Sequence, residues 1–123
     1  METNLDLDEV EERFSRRDEG ILVLKENYFI DANEVALKLI GVSSLAIFKS
    51  LHPAMISPEF QPDGESSKSK TDRIFAQLQE SKVGRFKWQH IKLNGTPFDV
   101  EVTLRLNEET EAYVINVHWR SLS

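Results

Sequence analysis

From residue 85 to residue 120 the apolar side chains fall on alternate positions, and no other feature of the chain constrains its fold so tightly. In 97–106, Phe98, Val100, Val102, Leu104 and Leu106 share one face. Residues 85–93 repeat the pattern with Phe86, Trp88 and His90, and residues 112–120 with Tyr113, Ile115, Val117 and Trp119. A period of two is the mark of a strand with one buried face. Three such strands in succession require an antiparallel sheet with an apolar side that other elements must cover. The register of the first pair follows from the turn at Asn94-Gly95. A two-residue turn there would pair Leu93 with Thr96 and put Trp88 on the face of Asp99 and Glu101. A three-residue turn, Leu93-Asn94-Gly95 with Gly95 left-handed, pairs Lys92 with Thr96 and keeps Phe86, Trp88 and His90 beside Phe98, Val100 and Val102. A slip of one residue inverts a whole face, so the second register is expected.

Helices and short strands precede these three. Leu7, Val10 and Phe14 recur at helical spacing between charges, with Asp6 and Glu9 placed as a capping box, so residues 7–17 read as an amphipathic helix. Asp18-Glu19-Gly20 breaks it. Ile21–Leu24 and Tyr28–Ile30 read as short strands about the Lys25-Glu26-Asn27 turn. A helix carrying Val35, Leu37, Leu39 and Ile40 follows, capped by Asp31 or Asn33 and stopped at Gly41. Ser43 or Ser44 caps a second helix. Ser57-Pro58-Glu59 has the form of a cap with proline at the first helical position. Ser66 or Ser67 opens the longest helix, to about Lys82, with Ile74, Phe75 and Leu78 inward and Gly84 as its stop. Residues 61–71 are polar and are expected to be the mobile loop.

Two strands, a helical excursion and three long strands make an α+β domain, a five-stranded antiparallel sheet with helices over one face. A chain of 123 residues suits one such domain. The expected division is an N-terminal amphipathic helix over 1–19 and a folded domain over 20–123. With no cysteine there is no disulfide, thiolate metal site or cysteine nucleophile. Of the net charge of −6, −5 lies in residues 1–19, which leaves no basic face to bind nucleic acid. No apolar run is long enough to span a bilayer, and the acidic start is unlike a signal peptide, so a cytoplasmic location is expected.

Three segments carry a family resemblance. FIDANEVALKLIGVSS pairs a short strand with an Asn-capped helix ending in Leu-Ile-Gly. LHPAMISPEFQPDGESS precedes the long helix, and GRFKWQHIKLNGTPFDVEVTL is a strand pair joined at Asn-Gly. In this order the segments resemble the PAS family, of the bacterial sensory-box type, over about Gly20 to Ser123. The resemblance implies a curved sheet cupping short helices on its concave face about a central cavity. It implies a sensor or dimerisation module of bacterial signal transduction, working with a kinase, a cyclic-dinucleotide enzyme or a transcription regulator. Covalent flavin photochemistry is excluded, because that branch uses a cysteine. Haem is not expected, because the helix SKSKTDRIFAQLQESK has no histidine; the cofactor, if any, is left open. One departure is Ser121, which stands where the family's last strand carries the Asp that anchors an effector helix, so relay through that anchor is not expected.

Within the implied cavity, the inward residues Phe86, Trp88, His90, Phe98, Val100, Tyr113 and Trp119, with Leu37, Phe75 and Leu78 from the helices, are the candidate ligand-binding wall. Few are polar, which suits a small apolar or aromatic ligand and not a phosphorylated one. The plain alternative is a packed aromatic core. His52 lies in a loop and His118 on the outer face. The acids Asp99 and Glu101 also alternate outward, and no catalytic or metal-ligand set emerges, so no enzyme is expected. The alternative function is a small-molecule enzyme of the cone-shaped steroid-isomerase type, which needs an acid or tyrosine in the cavity. An RNA-binding sheet lacks its basic rim. Leu7, Val10 and Phe14 are the expected homodimer interface, since a lone helix of that length is unstable in water.

Overall fold

The structure, a computed structural model, describes residues 19–26, 28–108 and 114–122. The helix expected at 7–17, with Leu7, Val10 and Phe14, lies outside the described residues, as does Tyr113. Five strands form one antiparallel sheet: β1 (Glu19–Lys25), β2 (Tyr28–Ala32), β3 (Val83–Ile91), β4 (Pro97–Asn107) and β5 (Val114–Ser121). Their spatial order is β2-β1-β5-β4-β3, so the first strand pairs with the last and the long hairpin β3-β4 closes one side. The hairpin takes the three-residue turn. The Lys92 N–H donates to the Thr96 carbonyl at 2.8 Å, Gly95 sits at φ 91, and Trp88 faces Val100 across the ladder.

The helices cover the concave face in four pieces. Asn33 caps α1 (Glu34–Ile40), which ends on Gly41 at φ 88. Ser44 caps α2 (Leu45–Lys49). A single 3-10 turn, Pro53–Ile56, follows, and Ser66 caps α3 (Ser67–Ser81). Three sequence expectations change here. No helix begins at Ser57-Pro58-Glu59; the cap-and-proline pattern is used one turn earlier, where the His52 ring accepts from the Ala54 N–H and Pro53 opens the 3-10 turn. The long helix ends at Ser81, next to the expected Lys82, but its stop is not Gly84. Lys82 takes the left-handed conformation at φ 69 and closes on the Leu78 carbonyl, because Gly84 is already paired with Leu104 in β3. Residues 61–66 are not a free loop: Gln61 is buried, and its amide reaches both Ser67 and the backbone of Gln89.

One side chain sets α1 on the sheet. The Asn33 carbonyl oxygen accepts from the Ala36 N–H as a cap, and it also accepts from the Ile21 N–H of β1, both at 3.0 Å. Its amide nitrogen donates to the Glu19 carbonyl at 3.0 Å. The helix therefore begins hydrogen-bonded to the strand, and its first turn lies so close that a methyl on Gly20 would meet Ala36 at 3.2 Å. Around this junction Leu22, Ile40 and Phe48 are fully buried, and the Phe48 ring stacks on Phe29 at 4.4 Å.

Asn33→Ala removes a cap and two bonds to β1 and is expected to cost about 2–4 kcal/mol. Gly20→Ala forces α1 outward and is expected to cost about 1–3 kcal/mol. Urea denaturation checks both, as a lower midpoint at unchanged slope. A change under about 0.5 kcal/mol in either variant would show that the junction is not specific.

Candidate functional site

The inward faces of β3, β4 and β5 do not pack fully against the helices. Between the sheet and the segment 53–57 with α3 lies a cavity of about 90 Å³. Phe86, Trp88, His90, Val102, Leu104, Val117 and Trp119 wall it on the sheet side, with Leu24 and Phe29 beyond them; Pro53, Ser57, Thr71, Ile74 and Phe75 wall it opposite. The wall is overwhelmingly apolar, and among the described residues it carries no carboxylate, lysine, arginine or tyrosine.

Of the wall expected from sequence, the structure brings together Phe86, Trp88, His90, Trp119 and Phe75. Phe98, Val100, Leu37 and Leu78 are not on it. Val100 and Leu78 are fully occluded in the core, and Leu37 packs against that core from α1, which lies over β1. Phe98 stands behind His90 and Trp119, its ring 5.6 Å and 6.2 Å from theirs. Val102, Leu104 and Val117 share the alternating inward face and were legible in the pattern. Ser57 and Thr71 were not, because a hydroxyl in a loop or on a polar helix carries no periodic signal.

Three consecutive residues of the edge strand β3 grip the helical layer. The Trp88 indole N–H donates to the Ser57 hydroxyl at 3.1 Å. The Gln89 backbone N–H donates to the Gln61 amide oxygen at 2.8 Å, and its carbonyl accepts from the Gln61 amide nitrogen at 3.1 Å. His90 Nδ1 lies 2.9 Å from the Ile56 carbonyl. A carbonyl can only accept, so Nδ1 carries the proton and Nε2 is the lone-pair nitrogen. Burial pushes the His90 pKa down to about 4, against a smaller upward pull from the bond to Ile56, so the ring is neutral at pH 7. Its ring centroid lies 4.5 Å from that of Trp119.

A larger groove of about 590 Å³ lies outside this cavity, between the 52–59 segment and the first turns of α3. Leu24, Pro53, Ser57, Thr71 and Phe75 wall both spaces, so the cavity and the groove adjoin along that seam. On the convex face His118 pairs with Glu19 at 2.7 Å and Arg120 with Glu101 at 3.0 Å, while Asp99 is exposed. Among the described residues no cluster of His, Asp and Glu could hold a metal ion.

No family model and no curated protein matches the sequence. Solved structures do match. A domain of the sensory box sensor histidine kinase/response regulator from Geobacter sulfurreducens is similar with a TM-score of 0.72 at 16% identity, over 97% of this chain and 96% of that one. The PAS domain of a two-component sensor histidine kinase gives 0.69 at 16% identity, over 97% and 98%. The PAS domain of a LuxR-family transcriptional regulator from Burkholderia thailandensis, in complex with ethanol, gives 0.68 at 14% identity, over 91% and 96%. The chain has the PAS fold. At these identities the likeness is one of architecture.

His90 gives this PAS fold a pH dependence whose sign can be worked out. Unfolded, the imidazole titrates near 6.5; folded, near 4. Between these values the unfolded chain binds the extra proton, so stability is full above pH 6.5 and falls as pH drops toward 4. At pH 4.5 the loss should reach about 2–3 kcal/mol. Comparing urea denaturation of the wild type and His90→Gln at pH 7 and pH 4.5 isolates it from the other titrating groups. Equal losses in the two proteins would refute the assignment.

Proposed function

We propose that this chain is a signal-sensing PAS module that takes a small, largely apolar ligand into the cavity beneath its sheet and performs no chemistry on it. The observation that carries the reading is the cavity: aromatic on the sheet side, uncharged, set with a neutral histidine, and adjoining the groove along the seam beside Ser57 and Thr71. Similar folds occur in sensor histidine kinases and in a LuxR-family regulator, which supports a signalling effector of the kinase or regulator kind as partner. The isomerase-type alternative finds little support, since the described wall offers no acid or tyrosine for proton transfer. Among the described residues no helix is long and apolar enough to cross a membrane. A volume of 90 Å³ restricts the enclosed part of a ligand to a few non-hydrogen atoms.

The reading extends to assembly. Leu7, Val10 and Phe14 recur in residues 7–17 at a spacing that calls for an apolar surface, and the convex face of the sheet is the one that the described helices leave uncovered. We propose a homodimer in which this segment covers its own sheet or its partner's.

Native mass spectrometry of protein purified without organic solvent tests the ligand. A small adduct is expected on the wild type and none on Trp88→Ala, whose folding circular dichroism verifies. An adduct retained by the variant would place the ligand elsewhere. Light scattering tests assembly: a dimer is expected for the wild type and a monomer for the Leu7→Asp, Phe14→Asp double variant. A monomeric wild type at high micromolar concentration would end the dimer reading.

A further inference from the structure

Two buried polar side chains of the cavity wall, His90 and Trp119, each leave one nitrogen without a partner among the described residues. His90 and Trp119 are 8% and 2% exposed. His90 spends Nδ1–H on Ile56, and no described residue donates to its Nε2. The Trp88 indole N–H is taken by Ser57, whereas the Trp119 indole N–H has no acceptor among the described residues. The space that these two residues wall is the cavity. A buried polar group left unpaired is costly, so a native site of this kind calls for a bound partner.

The two groups are complementary. One is an acceptor and the other a donor, on rings whose centroids are 4.5 Å apart. A single oxygen that donates one proton and accepts another satisfies both, and that is a hydroxyl. A ketone could serve Trp119 alone, and a hydrocarbon neither. A carboxylate or an ammonium would lose its hydration with no opposing charge on the described wall. Size sets a second limit, because 90 Å³ is well below the roughly 150 Å³ in which a protein cavity takes up benzene.

Resting on the reading of the cavity as a ligand site, we propose that its ligand is a short neutral alcohol of about three to five non-hydrogen atoms, whose hydroxyl donates to His90 Nε2 and accepts from the Trp119 indole N–H. The apolar wall of Phe86, Phe75 and Leu104 takes its carbon chain. A buried water that bridges the same two nitrogens is the competing occupant.

Nuclear magnetic resonance of the ¹⁵N-labelled full chain separates these outcomes, with propan-2-ol, acetone and dissolved xenon as probes. Propan-2-ol should bind saturably and shift both the Trp119 indole N–H and the His90 Nε2 resonances. Acetone, of nearly the same shape, should shift only the indole and bind roughly three- to tenfold more weakly. Xenon should move wall methyl groups and neither nitrogen. Trp119→Phe should weaken propan-2-ol by a similar factor and leave xenon binding unchanged. Acetone binding as tightly as propan-2-ol, or His90 unmoved at saturation, would overturn the alcohol while leaving the cavity a ligand site. A long-lived water at both nitrogens that saturating propan-2-ol does not displace would overturn it too. If none of the three probes binds, the cavity reading falls with it.

Discussion

The amide of Asn33 is the contact on which the rest of the structure depends. An ordinary cap satisfies one orphan N–H at the start of a helix. Here the same oxygen also takes an N–H from the middle of β1, and the nitrogen of the same amide holds a carbonyl two residues earlier. The start of α1 is thereby fixed in position and direction on the strand, and Gly20 lets the two backbones approach closely enough for the geometry to close. A carboxylate at 33 could accept the first two bonds but could not donate the third, which is why an amide is needed.

The second attachment lies on the other side of the sheet. In the order β2-β1-β5-β4-β3, strands β1 and β3 flank β5 and β4. Asn33 pins the helical layer at β1, and Trp88, Gln89 and His90 pin it at β3 through residues 57, 61 and 56. Between the two lines of attachment the layer spans β5 and β4, and there Val117, Trp119, Val102 and Leu104 face the open space. The cavity is the span between two anchors. The bond from Gln61 serves a further end, since it occupies the backbone N–H and carbonyl of Gln89 on an edge strand that would otherwise offer them to another chain.

What the sequence made legible divides along the same physical line. Strand positions and register followed from a period of two, because a slip of one residue would have buried Asp99 and Glu101 in place of Phe98 and Val100. The inward set Phe86, Trp88, His90 and Trp119 followed with them. Which inward residues border a void is a different matter. Val100 and Val102 are the same residue type two places apart on one strand, yet only Val102 meets the cavity. That difference is set by how far the helical layer stands off the sheet, a long-range quantity that no local pattern encodes. The helix termini failed for a related reason. Ser57-Pro58 is as good a local start as His52-Pro53, but Ser57 is committed to accepting the Trp88 N–H from 31 residues away.

Burying His90 neutral has a consequence for how occupancy of the cavity would be felt. Its two nitrogens share one aromatic ring, so a donor at Nε2 draws electron density from Nδ1 and makes Nδ1–H a better donor. The bond to the Ile56 carbonyl would strengthen accordingly, as chains of hydrogen bonds do in a medium of low polarity. Ile56 ends the 3-10 turn whose Pro53, with the adjoining Ser57, walls both the cavity and the outer groove. A ligand at Nε2 would then be coupled through one imidazole to the contact with Ile56, and such coupling is reciprocal: whatever strengthens that contact would raise the affinity of the site beside it. A protonated His90 would break the chain, because Nε2 would then donate and compete with the ligand's own proton. The low pKa that burial imposes on the ring keeps the acceptor available at neutral pH.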